Sequence, residues 1–123
     1  MGEPSYTFKK EERLKGKKRI ADLFETGQAM LSYPVKVVFM EMDKEDAKVV
    51  KAGFSVSRKN FRRAVDRNLL KRRMREAYRL NKPEFYIRLN GKLFAMMFIY
   101  VAKEILPYAN IEKGIKNLLN RLS

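Results

Sequence analysis

Neither cysteine nor histidine occurs anywhere in the 123 residues. Without cysteine there is no disulfide framework and no thiolate chemistry. Without histidine the usual general base, the commonest metal ligand and every imidazole-dependent triad are lost. Acids are scarce too: 14 Asp and Glu stand against 28 Lys and Arg, a formal charge of +14 and a pI near 10.1. Long apolar runs are missing. The longest, "LFAMMFIYVA" at 93–102, falls far short of a bilayer span, and the N-terminus has no apolar signal core. A soluble cytoplasmic protein without a membrane partner is expected. A nuclease lacking His and Cys needs clustered carboxylates to hold Mg²⁺. Asp43, Glu45 and Asp46 are the only close group, in a polar turn where acids are ordinary. No catalytic residue and no metal ligand is therefore expected on the protein itself.

The length suits one domain, 1–123, and the 46% hydrophobic content can supply its core. Residues 1–15 lack periodicity and read as an extended basic arm, with Tyr6 and Phe8 as two points able to dock on the body. In "KKRIADLFET", 17–26, Ile20, Leu23 and Phe24 share a helical face and Gly27 follows as a stop. "YPVKVVFMEM", 33–42, and "KVVKAGFSVS", 48–57, alternate as strands around a polar turn and predict a hairpin. A helix is expected over 61–80, between an N-cap at Asn60 and a stop at Asn81-Lys82-Pro83. A strand at 92–102 and an amphipathic helix with Ile111, Ile115, Leu118, Leu119 and Leu122 inward complete the chain, Gly114 weakening that helix slightly. The order α β β α β α describes an α+β sandwich with helices on a central sheet.

The positive charge is localised. Residues 51–82 hold twelve cations against two acids, whereas 20–50 hold three against six. On a helical wheel Arg67, Asn68, Lys71, Arg72, Arg75 and Arg79 occupy an arc of roughly 140°, beside an apolar cluster of Leu70, Met74, Ala77 and Tyr78. Arg67, Lys71, Arg75 and Arg79 recur every four residues, about 6 Å apart along the axis. Arginine dominates, and its planar fork gives two parallel hydrogen bonds to a phosphate or a guanine edge. Compensating acids are few: Glu76 can reach Arg72 or Arg73, and Asp66 can reach Arg62 or Arg63. Such a face points to a nucleic acid and not to an ordinary solvated helix.

"FRRAVDRNLLKRRMREAYR" resembles the Arg-Asn-Arg signature of the protein subunit of bacterial ribonuclease P, with Ala64, Arg67, Asn68, Lys71, Arg72 and Arg75 on the motif's positions. "RLKGKKRIADLFETG" at 13–27 is similar to that family's first helix and "AGFSVSRK" at 52–59 to its second strand. Two departures stand out. Leu69 replaces the triplet's third residue, and the loop "RKNFRR", 58–63, lacks the family's glycine.

The resemblance implies a cofactor to a catalytic RNA, assisting removal of the 5′ leader from precursor tRNA, with Mg²⁺ bound mainly by the RNA. It implies that the protein alone does not cleave. RNA-binding residues would be Arg62, Arg63, Arg67, Asn68, Lys71, Arg72, Arg75 and Arg79. A leader cleft would comprise Ile20, Phe24, Lys36, Val38, Arg58 and Lys59, combining aromatic stacking with charge. Ile20 and Val38 stand where the family often has aromatics, and Phe24 at helical spacing from Ile20 reads equally as a core residue. A left-handed β-α-β crossover around the basic helix is also implied, against the usual handedness. Three other readings remain at this point. A structural RNA-binding protein of ribosomal type would share charge and size without a leader site. A DNA-binding regulator would need a helix-turn-helix partner before residue 61, where two strands are expected, so no DNA partner is assigned. A membrane-surface helix would need a broader apolar face.

Overall fold

The computed structural model describes residues 6–123, so the first five residues of the expected arm lie outside it. Its elements are α1 (Lys17–Thr26), β1 (Gln28–Ser32), β2 (Val35–Met42), β3 (Lys51–Val56), α2 (Ala64–Leu89), β4 (Leu93–Tyr100) and α3 (Tyr108–Leu122), preceded by a 3-10 turn at Lys10–Glu12. The α+β class and the order of the long elements agree with the sequence, and β1 is added to them. One sheet runs β1-β2-β4-β3.

The expected hairpin does not form. Strand β2 pairs antiparallel with β1 on one side and with β4 on the other, and β3 pairs parallel with β4. The reason lies in β4, whose central residues are buried on both faces. An apolar strand of that kind takes an interior place between β2 and β3. The chain between β2 and β3 is also anchored by Ala47 and Val50, both buried. It therefore serves as a crossing and not as a tight turn. Parallel β3 and β4 need a long connection, and α2 provides it.

Alternation along the strands splits the core in two. Val35 and Val37 of β2, Ala52 and Val56 of β3, and Phe98 and Tyr100 of β4 face α2 and α3. Val38, Ala95 and Met97 face the other way, where Leu14 and Leu23 cover them and Ile20 packs alongside. Thus α2 and α3 lie on one face of the sheet and α1 on the other. Gly27 follows α1 with φ near −74°, so left-handed backbone is not its purpose. A Cβ there would collide with the Leu23 carbonyl oxygen. At Gly114 a Cβ would meet the Ser32 carbonyl oxygen at 2.8 Å. That glycine lets α3 close on the β1–β2 turn, and the small helical cost expected from sequence is offset by this approach.

The predicted stop at Asn81-Lys82-Pro83 is overruled. Helix α2 continues through Pro83 to Leu89 and ends at Asn90 in left-handed conformation. An internal proline costs about 3 kcal/mol. The turns beyond it bury Phe85 and Leu89 in the main core, each worth about 1.5–3 kcal/mol. Tertiary burial therefore outweighs the local penalty. The Asn81 side chain also donates to the Ala77 carbonyl at 2.8 Å, adding a bond within the turn before the proline.

The same extension carries Lys82 inside. It is 2% exposed and Glu12 is 6% exposed. The Lys82 ammonium donates to both Glu12 oxygens, at 2.9 and 3.1 Å, and to the Thr7 carbonyl. Tyr86 donates to Glu12 at 3.0 Å, and its hydroxyl meets that of Tyr78 at 3.2 Å. Phe8 lies edge-on to Phe54 and Tyr78, each at 5.8 Å. The arm beyond residue 5 is thus docked: Phe8 is a docking point as expected, while Tyr6 remains exposed. Beyond Glu12, Leu14 N–H donates to the Ala52 carbonyl at 2.9 Å, so the arm covers the free edge of β3.

Removing one member of a buried pair strands the other charge. Lys82→Ala should cost about 3–5 kcal/mol in urea unfolding, and Glu12→Gln combined with Lys82→Met should recover a good part of it. A loss below about 1 kcal/mol for Lys82→Ala would contradict the latch. Burial pushes the Tyr78 and Tyr86 hydroxyls above the ordinary phenol range, and for Tyr86 the neighbouring Tyr78 and Glu12 push the same way. A raised folded pKa means stability that is complete below about pH 10 and is lost as the pH rises further. Alkaline unfolding should begin there and move to higher pH in Tyr86→Phe.

Candidate nucleic-acid interface

Helix α2 presents its cations on the side away from the sheet because Leu70, Met74, Ala77 and Tyr78 are wholly buried on the other. The expected arc is present, but its members are used differently. Arg62, Asn68, Arg72 and Arg75 are exposed and Lys71 is half-buried. Among the described residues, the side chains of Arg62, Lys71, Arg72 and Arg75 make no hydrogen bond or salt bridge within the chain. Of these, only Arg75 is eased by a nearby carboxylate, that of Glu76, so the set as a whole favours a polyanion.

The remaining cations hold the helix in place. Arg67 donates to the carbonyls of Phe61 and Arg62, both at 2.8 Å. Phe61 itself is buried edge-on to Tyr100 at 5.8 Å. Together they fix the 58–63 loop without the glycine of the family pattern, leaving Arg58 and Lys59 exposed on it. Arg73 donates to the Leu106 carbonyl at 2.9 Å, tying α2 to the segment before α3. Asp66 stands 3.8 Å from Arg63, within the reach expected. Glu76 pairs with neither Arg72 nor Arg73: Arg79 forks onto it, with Nε to Oε2 at 3.0 Å. That hydrogen bond holds the Glu76 carboxyl below the usual carboxylate range. Arg79 also donates to the Tyr6 carbonyl at 3.2 Å.

A second surface lies on the opposite face of the sheet. Helix α1 covers only part of that face, because Leu23 and Ile20 sit over Val38, Ala95 and Met97. Val38 is 6% exposed and so belongs to the floor beneath α1. One row further along the strands, Leu31, Lys36, Ile99 and Ser55 stand side by side across all four. None of them is buried, and Leu31 is 57% exposed. Three strand spacings make this row about 14 Å wide. The alternative core reading of Phe24 is excluded. Leu23 is the fully buried residue of α1, whereas Phe24 is 49% exposed in its last turn.

The structure thus places Lys36 in this row and Arg58 and Lys59 just beyond the end of β3, while Phe24 is exposed in the last turn of α1 on the same side of the sheet. Ile20 is half-buried against the covered part. The sequence reading missed Leu31. Its signal was the alternation of Ala29 and Leu31 against Met30 and Ser32, too short to stand out before β1 was seen. Among the described residues no group of His, Cys, Asp and Glu is close enough to hold a metal ion. Asp43, Glu45 and Asp46 are all exposed. No helix among them is long and apolar enough to cross a membrane.

A family profile described as ribonuclease P matches residues 8–123. The ribonuclease P protein component of Porphyromonas gingivalis is 34% identical over 122 residues, spanning 98% of this chain and 89% of that protein. That of Petrotoga mobilis is 31% identical over 125 residues, covering 94% and 95%. Among solved structures, the ribonuclease P protein of Thermotoga maritima superposes with a TM-score of 0.70 at 28% identity, over 91% of this chain and 98% of that one. The Staphylococcus aureus protein gives 0.73 at 20% identity, over 90% and 94%, a likeness of fold.

Two pairs of truncations test the geometry by thermal or urea melts. Leu23→Ala should cost about 2–5 kcal/mol, and Phe24→Ala well under 1 kcal/mol. Arg73→Ala should lose about 0.5–1.5 kcal/mol with its hydrogen bond, while Arg72→Ala should stay within about 0.5 kcal/mol of the parent. Equal losses within either pair would refute the assigned orientation.

Proposed function

This chain belongs to the ribonuclease P protein family, and on that premise we propose that its two surfaces divide the work of the holoenzyme. The family's protein is the subunit of a ribonucleoprotein endoribonuclease that removes the 5′ leader from precursor tRNA, and its partner is the ribonuclease P RNA. The alternative of a ribosomal-type protein has no support in any of the relatives found.

The free cations Arg62, Lys71, Arg72 and Arg75, with Asn68 among them, take the phosphates of the catalytic RNA. Arg63, Arg67 and Arg79 belong to the same surface but act chiefly by fixing the loop and the helix. The observation that carries this reading is the set of cations whose side chains make no hydrogen bond or salt bridge among the described residues, on a helix whose opposite side is core. The row Leu31, Lys36, Ile99 and Ser55 receives the single-stranded leader of precursor tRNA. Phe24 offers a stacking face at one margin, and Arg58 and Lys59 supply charge at the other. Val38 and Ile20 support the floor. Mg²⁺ is assigned mainly to the RNA, and the site of action to the cytoplasm.

Phe24→Ala should weaken binding of precursor tRNA to the reconstituted holoenzyme by about 1–3 kcal/mol and leave mature tRNA binding nearly unchanged. Lys71→Ala, Arg72→Ala and Arg75→Ala should instead weaken assembly with the RNA, and each should lower its salt slope by roughly one for the phosphate no longer neutralised. Parallel losses for both tRNAs in Phe24→Ala would remove the leader assignment. An Arg73→Ala slope change as large as that of Arg72→Ala would remove the helix face.

A further inference from the structure

A strongly basic depression lies on a part of the surface that neither assignment uses. It measures about 440 Å³ and is walled by Lys10, Arg13, Lys15, Arg19 and Lys51, with Glu11 the single acid. Three segments meet there: the docked arm, the start of α1 and the start of β3. Two of the cations are held by the fold. Lys51 donates to the Glu11 carbonyl at 2.7 Å, and Arg19 donates to the Asp46 carbonyl at 3.3 Å and touches the Met42 sulfur at 3.1 Å. The side chains of Lys10, Arg13 and Lys15 are exposed and make no hydrogen bond or salt bridge among the described residues. The arm cannot drift from this position while Glu12 is latched to Lys82 and Leu14 is bonded to Ala52.

The location gives the depression a meaning. Ala52 and Val56 of β3 face the main core, so Lys51, Gly53 and Ser55 face the α1 side. Ser55 is the β3 member of the exposed row. Lys51 therefore stands four residues, about 13 Å, from that row along the same strand and the same face. Arg58 and Lys59 lie past the row in the opposite direction. Gly53, between the row and the depression, carries no side chain, and a Cβ there would already press on Met97 at 3.0 Å. Its absence keeps this stretch of the β3 face low between two basic ends.

We propose that the depression is a phosphate-binding subsite for a backbone phosphate of single-stranded RNA that leaves the exposed row along β3. It rests on the leader reading given above and extends it, because it assigns a further leader phosphate, a few nucleotides from those on the row, to Arg13, Lys15 and Lys51. Five cations against one carboxylate in an open hollow suit a phosphate, whose oxygens take an arginine fork and lysine charges together. The wall residues are all long polar side chains, which suits the charged backbone of a strand better than its bases.

The test uses holoenzyme reconstituted with a bacterial ribonuclease P RNA, and precursor tRNAs whose leaders shorten one nucleotide at a time. With the parent protein, affinity should fall about tenfold at one leader length, as expected for a single charge-assisted hydrogen-bonded phosphate. Arg13→Gln with Lys15→Gln should abolish that step and weaken only the longer leaders. Lys103→Gln with Lys113→Gln removes the same charge from other exposed positions and should keep the step. Replacing a single leader linkage by an uncharged methylphosphonate should reproduce the loss in the parent and add nothing in the Arg13→Gln, Lys15→Gln protein. Curves for that double variant that superpose on the parent would overturn the subsite. An equal loss for mature tRNA, or for assembly with the RNA alone, would also overturn it by giving the phosphate to the catalytic RNA. The step persisting in Phe24→Ala supports a separate subsite even where the row assignment fails. A parent curve flat in leader length removes the leader reading and this subsite together.

Discussion

The buried contact between Lys82 and Glu12 is the interaction on which the arrangement of both surfaces depends. A lysine at that depth is tolerated only with its charge matched and its donors satisfied, and here Glu12 and Thr7 do both. Two consequences follow. Helix α2 has to run beyond residue 80 to bring Lys82 into place, and its further turns past Pro83 bury Phe85 and Leu89. The arm has to lie beside β3, which closes an otherwise open edge and carries Lys10, Arg13 and Lys15 to the start of that strand. An ion pair of this kind contributes little net stability compared with an apolar pair of the same shape. What it contributes here is position, because an arm bearing that many cations is repelled by the rest of the molecule unless it is tied down.

The second constraint is the sheet itself. A four-stranded sheet with apolar residues on both faces needs cover on both, and this chain supplies it unequally. Helices α2 and α3 bury most of one face, while the short α1 covers only the part beneath Leu23 and Ile20. The uncovered row at Leu31, Lys36, Ile99 and Ser55 is the result. Its mixture of aliphatic, cationic and small side chains suits a single strand, which brings both a base face and a charged backbone. The face of α2 is different in kind, with arginine forks on a rigid helix and no apolar relief between them.

Much of this was legible in the sequence where a local pattern had no competitor. The limits of α1 follow from Ile20, Leu23 and the glycine after it, and α3 from its repeated Ile and Leu. The charge arc of α2 depends only on spacing. The pairing of β2 with β4 was not legible, because two consecutive alternating segments around a polar turn are locally a hairpin. Only the double-sided burial of β4 decides otherwise, and that is a property of the assembled sheet. Pro83 misled for a related reason: its local cost is real, and the burial that outweighs it comes from residues beyond it. Within the arc, the sequence could not separate cations that bind outward from those that bind inward. Arg67 and Arg79 share the arc with Arg72 and Arg75, yet Arg67 ends on carbonyl oxygens of its own chain and Arg79 on Glu76.

That separation changes how charge should be counted in such a protein. Residues 51–82 carry twelve cations, but several of them already have partners: Arg67 and Arg73 on backbone carbonyls, Arg79 on Glu76, Lys82 on Glu12 and Lys51 on Glu11. A cation donating to a neutral carbonyl keeps its charge and adds to the long-range field that draws RNA in. Its hydrogen-bond donors are committed, however, so it gives less in the final contact. Attraction and recognition are therefore carried by overlapping but unequal sets of residues. On the assignments proposed above, Arg62, Lys71, Arg72 and Arg75 belong to both sets, as do Arg13 and Lys15 on the far edge. The remaining cations serve mainly the field and the fold.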